Sequence, residues 1–331
     1  RDGQVVKLKG LYLDAAAAPE VMEKKRKKQG AADTDFARIA DKFKLPLSFS
    51  EEVLTEAERA SKGHKAELEA RPAVPGWVIT IDSESAKDLD DAVSVEKSGF
   101  GYELGVHIAD VSWYVAKGSR LDREALERGT SVYLIDKVIP MFPPRLSNDL
   151  CSLNADRPKL CFSAFLTLSR TGEVKAVRFA RTRVQVNRRF SYKEVEAILK
   201  GQADPDRKKL ELMAKLALLL RKRRIDAGSL LFEVPEIKIE LDKEGVPVSV
   251  KVPERLESEG IVEEFMLAAN QQVAAFLAEK GPSIFRIHED PDEEKLKAFF
   301  DFAARMGVSL KHPGKISPLG MQRILDTIRS N

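Results

Sequence analysis

Cysteine is scarce: Cys151 and Cys161 are the only two in 331 residues. They could pair, but two thiols in so long a chain make no disulfide framework, so a reducing compartment is expected. Histidine is also sparse. His64, His107, His288 and His312 are scattered, which excludes zinc-type ligand spacing. Long apolar runs are missing: the strongest, Leu216 to Leu220, sits between Lys215 and Arg221, far short of the roughly 18–20 residues of a membrane span. The chain opens Arg1-Asp2-Gly3-Gln4, without the basic-then-apolar pattern of a signal peptide, and the absent initiator Met suggests a trimmed chain. Glycine (19) and proline (16) are ordinary, which excludes collagen-like and low-complexity classes. Neither charge sign dominates, with 55 Lys and Arg against 52 Asp and Glu. Charge distribution, rather than net charge, therefore has to speak about partners.

The chain is 43% hydrophobic and 32% charged, enough for a real core under a charged surface. At roughly 150 residues per domain, two units are expected, with a boundary near residue 71, where Pro72, Pro75 and Gly76 punctuate the chain. Residues 1–70 read as a small, mostly helical accessory region with a basic run, Lys24 to Lys28. Ser48 with Glu51 suggests a capping box opening a helix to about Ser61. Beyond the boundary, strand patterns occupy 77–81, 92–95, 102–109, 162–168 and 174–186. Helices are expected near 192–199, 206–224, 261–279 and 292–306. A hairpin is expected around Asp242–Gly245, with Pro247 marking an edge arm. The fold class is α+β: a mixed β-sheet core flanked by helices.

The densest chemistry is the segment Ile81-Asp82-Ser83-Glu84-Ser85-Ala86-Lys87-Asp88-Leu89-Asp90-Asp91-Ala92-Val93. Carboxylates this close repel one another unless a cation neutralises them. Oxygen ligands without His or Cys favour Mg²⁺, with Mn²⁺ as the alternative. An EF-hand fails on spacing: counted from Asp82, the Gly position is Lys87 and the Glu position is Val93. A solvated acidic loop competes, but placement between two buried strands favours a site. A carboxylate-held divalent cation suits phosphodiester hydrolysis.

These residues resemble the signature of the ribonuclease II / ribonuclease R family, the RNB catalytic domain. The resemblance continues through His107-Ile108-Ala109-Asp110-Val111-Ser112-Trp113-Tyr114 and Gly129-Thr130-Ser131-Val132-Tyr133-Leu134. It then takes in Ile139-Pro140-Met141-Phe142-Pro143-Pro144-Arg145-Leu146-Ser147-Asn148-Asp149-Leu150-Cys151-Ser152-Leu153 and Ile261-Val262-Glu263-Glu264-Phe265. It implies an RNB-type sheet from residue 71 to 331. The implied activity is Mg²⁺-dependent, processive 3′→5′ exoribonuclease action on single-stranded RNA, releasing nucleoside 5′-monophosphates. In that reading Asp82, Asp88, Asp90 and Asp91 form the acidic metal site, with Asp90 and Asp88 catalytic and Asp90 the residue on which hydrolysis most depends. Tyr133 and Phe232 bracket the stacked bases, and Glu263 helps hold the terminal nucleotide.

Arg178, Arg181, Arg183, Arg188 and Arg189 fall within a dozen residues free of acids. Arg181 and Arg183 share a strand face, which suits a phosphate-tracking channel wall. From sequence alone, core packing competes for Tyr133, a solvated helix start for Glu263, and a hydrogen-bonded strand position for His107. The family's later Ser-Pro-Ile-Arg block and S1-type barrel are not found, so a missing C-terminal segment is expected. A cytoplasmic, monomeric enzyme without a membrane partner is expected. The rival readings are a non-hydrolytic RNA-binding module with an RNB-like fold, or another Mg²⁺-dependent nuclease or phosphatase.

Overall fold

The computed structural model describes residues 6–8, 11–13, 31–135, 137–230, 237–242, 246–287, 292–307 and 317–329. The basic run at 24–28 lies outside them. Strands β1 (Val6–Leu8) and β2 (Leu11–Leu13) pair as a short hairpin. Three helices follow: α1 (Ala31–Lys42), α2 (Glu51–Arg59) and α3 (His64–Ala70). The cap of α2 is Ser50, not the expected Ser48. Ser50 is extended, so its hydroxyl reaches the Val53 N–H at 3.3 Å, while the Ser48 carbonyl accepts from Arg128 at 2.7 Å.

Period-two alternation of β-branched and apolar residues produces the main sheet. Its strands are β3 (Ile79–Asp82), β4 (Asp91–Lys97), β5 (Gly101–Ala109), β8 (Lys159–Ser169), β9 (Val174–Val184) and β10 (Arg188–Ser191). Their order is β10-β3-β4-β5-β8-β9. Only β10 against β3 is parallel; the other neighbours are antiparallel. The short strands β6 (Val132–Tyr133) and β7 (Val138–Ile139) form a separate hairpin. So do β11 (Lys238–Leu241) and β12 (Pro247–Lys251), which leaves Pro247 on an edge strand as expected.

One core packs Ile79, Ile81, Val93, Leu104, Val106 and Leu166 against helices α6 (Tyr192–Leu199), α7 (Arg207–Asp226) and α8 (Glu257–Lys280). A second core joins Leu89, Ala92, Leu160 and Cys161 to Val53 and Ala57 of α2, Tyr114 of α4 (Val111–Tyr114) and Leu121 of α5 (Arg120–Arg128). Packing is thus continuous across residue 71. Arg71 itself is buried and pairs with Asp110 at 2.8 Å. A π-helical turn, Leu146–Leu150, leads to Cys151, and both thiols are buried and free. Helices α9 (Glu293–Arg305) and α10 (Pro318–Arg329) complete the described chain. No described helix is long and apolar enough to cross a membrane.

Candidate active site

Asp82 ends β3 and Asp91 begins β4, so the strands themselves deliver two carboxylates to one end of the sheet. The register between β3 and β4 consists of the single pair Ile79–Val93. Beyond it, β3 continues to pair with β10 and β4 with β5. The sheet therefore opens between its two acidic strands, and the connecting loop carries Asp88 and Asp90 across the opening.

The carboxylates sense burial and one another. Burial first, then Asp82 and Asp90, push the Asp91 carboxyl up to about 6. Asp90 is raised by burial and by Asp88 and Asp82. Asp82 is also raised, mainly by burial; the Ser83 N–H on its Oδ1, at 2.6 Å, pulls the other way. Asp88 instead accepts the Tyr133 hydroxyl at 2.6 Å. That bond, ahead of burial, pushes the phenol up to about 12. Tyr133 is 64% exposed, which places an open aromatic face beside the acidic loop and argues against core packing.

Among the described residues, no three His, Cys, Asp or Glu side chains stand as a set that could hold a metal ion. The donor set nevertheless fits a hard divalent cation in kind. It is all oxygen, and Asp82, Asp90 and Asp91 all feel like charge that a cation would relieve. Asp88 gives only its Oδ2 to Tyr133, so its Oδ1 remains available to an ion.

The remaining expected residues are spread more widely. Arg181 is exposed and lies in one cross-strand row with Phe162, Ile108 and Asp91. Arg183 is occupied differently, donating to the Leu68 carbonyl at 3.2 Å. Arg178 lies over the Phe165 ring at 4.2 Å, and Arg188 bonds Asp204 at 3.0 Å. Glu263, on α8, pairs with Arg255 and, at 3.7 Å, with Arg224. Phe232 lies outside the described residues.

The structure adds residues that motif reading passes over. Tyr192, the first residue of α6, is pushed up to about 12 by burial and then by Asp82, Asp91 and Glu259. Tyr192 thus lies within electrostatic range of the acidic cluster. Arg189 and Ser152 bond the backbone of the acidic loop from two directions. The only signal for Arg189 is its place in the arginine run, and Ser152 is one serine within a longer matching block. His107 is the hydrogen-bonded strand histidine expected, between Ser163 Oγ at 2.8 Å and Ser94 Oγ at 3.2 Å. Gly105 makes room for that bridge, because a Cβ there would lie 2.4 Å from Ser94 Oγ.

Comparison with known proteins places this geometry in a lineage. The sequence pattern of the RNB domain matches residues 75–331. Ribonuclease R of Thermotoga maritima is 39% identical over 296 residues, covering 86% of this chain and 42% of that protein. The chain thus spans less than half the length of that curated relative. The fold superposes on the apo form of Mycoplasma genitalium RNase R with a TM-score of 0.83 at 24% identity, covering 90% of this chain and 48% of the other. A yeast pseudonuclease shares the fold more distantly, with a TM-score of 0.61 at 19% identity over 80% of this chain and 35% of that one. With an RNB pattern over most of its length and the acidic loop on the opened strand pair, the chain belongs to the RNB-domain family of ribonuclease R.

Proposed function

We propose that this chain carries the acidic half of a Mg²⁺-dependent, processive 3′→5′ exoribonuclease that hydrolyses single-stranded RNA to nucleoside 5′-monophosphates in the cytoplasm. The observation that carries the reading is the set of four aspartates on the opened β3–β4 pair, with an exposed tyrosine bonded to one of them. Mycoplasma genitalium RNase R has been solved with double-stranded RNA and with ribose-methylated single-stranded RNA, which supports RNA as the substrate class.

Asp82, Asp88, Asp90 and Asp91 would hold the divalent cation. Bound there, it would supply Lewis-acid polarisation of a phosphoryl oxygen and a lowered pKa for water. The protein's own groups supply placement. The Tyr133 ring offers a face on which any terminal base stacks without sequence readout. Phe232 would close the other end of the stack, and Glu263 would help hold the terminal nucleotide. Exposed Arg181 tracks phosphate at the far end of its cross-strand row, and Arg183 belongs to the same wall in this reading. A metal-dependent cut leaves Asp90 to act on the reacting phosphodiester, and Asp88 to orient both the cation and Tyr133.

A non-hydrolytic RNA-binding role is the second reading, favoured by the shared fold of the yeast pseudonuclease. The intact carboxylate set weighs against it, because a binder of polyanions gains nothing from clustered negative charge. Asp90→Asn in the intact polypeptide separates the two. The expected result is loss of nucleotide release with RNA affinity nearly unchanged. A wild type that binds RNA and releases no nucleotide in Mg²⁺ would establish the binder instead.

A further inference from the structure

The acidic loop has no ladder partner across the opened strands, and its own charges push it apart. Something else must hold it. Arg189, on β10, reaches over and donates through Nη2 to the carbonyls of Ala86 at 2.7 Å, Glu84 at 3.2 Å and Ser83 at 3.3 Å. From the opposite side comes Ser152, fully buried just after the π-helical turn. Its hydroxyl donates to the Lys87 carbonyl at 2.7 Å and accepts the Leu89 N–H at 3.1 Å. It also accepts from Asn154 Nδ2 at 3.0 Å, so its one proton and both lone pairs are used. The two peptide groups it grips flank Asp88. Neighbouring backbone bonds continue the hold: Leu153 N–H to the Leu89 carbonyl at 2.8 Å, and Ala109 N–H to the Asp90 carbonyl at 3.0 Å.

We infer that Arg189 and Ser152 are positioning residues, a two-sided clamp that sets the backbone of the acidic loop so that Asp88 and Asp90 face the cation and the scissile phosphate. Neither touches the carboxylates; both act through the peptide groups that carry them. The clamp uses charge and shape together. Arg189 brings a cation to a loop of mutually repelling carboxylates, yet spends its contacts on backbone oxygens, leaving the carboxylates themselves available. Ser152 is a hydroxyl where any larger side chain would displace the loop and any apolar one would orphan the buried Leu89 N–H and unpair the Lys87 carbonyl.

The inference rests on the reading of the site as a divalent-cation nuclease centre, and the test keeps the two apart. Wild type, Ser152→Ala and Arg189→Lys are compared in the intact polypeptide. The measurements are Mn²⁺ binding by calorimetry without RNA, half-saturating Mg²⁺ for release of nucleotides from single-stranded RNA, kcat, KM and melting temperature. Losing one buried hydrogen bond at the loop corresponds to roughly tenfold in an equilibrium constant. Each variant is therefore expected to weaken Mn²⁺ binding and raise the Mg²⁺ requirement about tenfold. kcat should fall at least as far, while KM for RNA stays within about twofold.

Arg189→Lys keeps the charge and loses the reach, so a fully active lysine variant overturns the inference. Unchanged Mn²⁺ affinity in both variants overturns it as well, whatever happens to their melting temperatures. Should Ser152→Ala fail to fold, the half-buried Arg189 side decides alone. A wild type without Mg²⁺-dependent hydrolysis sinks the proposed activity, and the Mn²⁺ measurement still judges the clamp.

Discussion

His107 offers a quantitative test of how the sheet beneath the site is built. Its ring is fully buried, bridges Ser163 and Ser94, and packs edge-on to Phe165 at 5.6 Å between centroids. Burial lowers its pKa from 6.5 to about 4. The unfolded chain therefore takes up a proton near pH 6.5 that the native state refuses until about pH 4. Between those values the unfolded state binds more protons, so stability falls as pH falls. At about 1.4 kcal/mol per pH unit, the full penalty is about 3 kcal/mol, and about 2 kcal/mol is already lost at pH 5. His107→Gln keeps a hydrogen-bonding amide between the serines and removes the titrating ring. Urea unfolding at pH 7.5 and pH 5 should show wild type losing about 2 kcal/mol more than the variant on acidification. The acidic loop also titrates, with opposite sign, but equally in both proteins, so the difference isolates His107. Equal losses in the two proteins would refute the reasoning and show that the ring is protonated or hydrated in the native state.

Tyr133→Ala should change the length of the residual RNA end product while leaving melting temperature almost unaltered; an unchanged product with reduced stability would return Tyr133 to a packing role. Mg²⁺ at a hundred times its dissociation constant should stabilise the fold by about 2.7 kcal/mol, read as a rise in melting temperature that EDTA reverses; no rise would leave the carboxylates without their expected ion. Arg71→Met should destabilise by about 3–5 kcal/mol, because it strands the buried Asp110 carboxylate; the double variant with Asp110→Leu should recover much of that loss, which chemical denaturation can measure.

Five of the six strands of the sheet could be read from β-branched, apolar or period-two patterns, and the aspartate cluster stood out because four like charges in a short stretch need a reason. Tyr133 came from the family resemblance alone, since its apolar neighbours Val132 and Leu134 favoured burial. The strand β10 was not legible: Arg188-Arg189-Phe190-Ser191 carries two charges, and it becomes a strand only by lying parallel to β3, more than a hundred residues earlier. The cap of α2 shifted by two residues for a local reason, the extended backbone of Ser50.

Local chemistry specified most of the strands and helices, β10 excepted, and the loop that concentrates negative charge, because backbone preference and charge density are properties of neighbours in the chain. Tertiary structure alone decided where that loop is gripped and what stands beside it. The bonds from Ser152 and Arg189 span 63 to 106 residues, and Tyr192 comes within electrostatic range of Asp82 and Asp91 only once β10 has docked on β3. No spacing rule encodes such meetings. They follow from burying two apolar faces of one sheet at once, which brings distant polar groups to its open end and leaves them each other as partners.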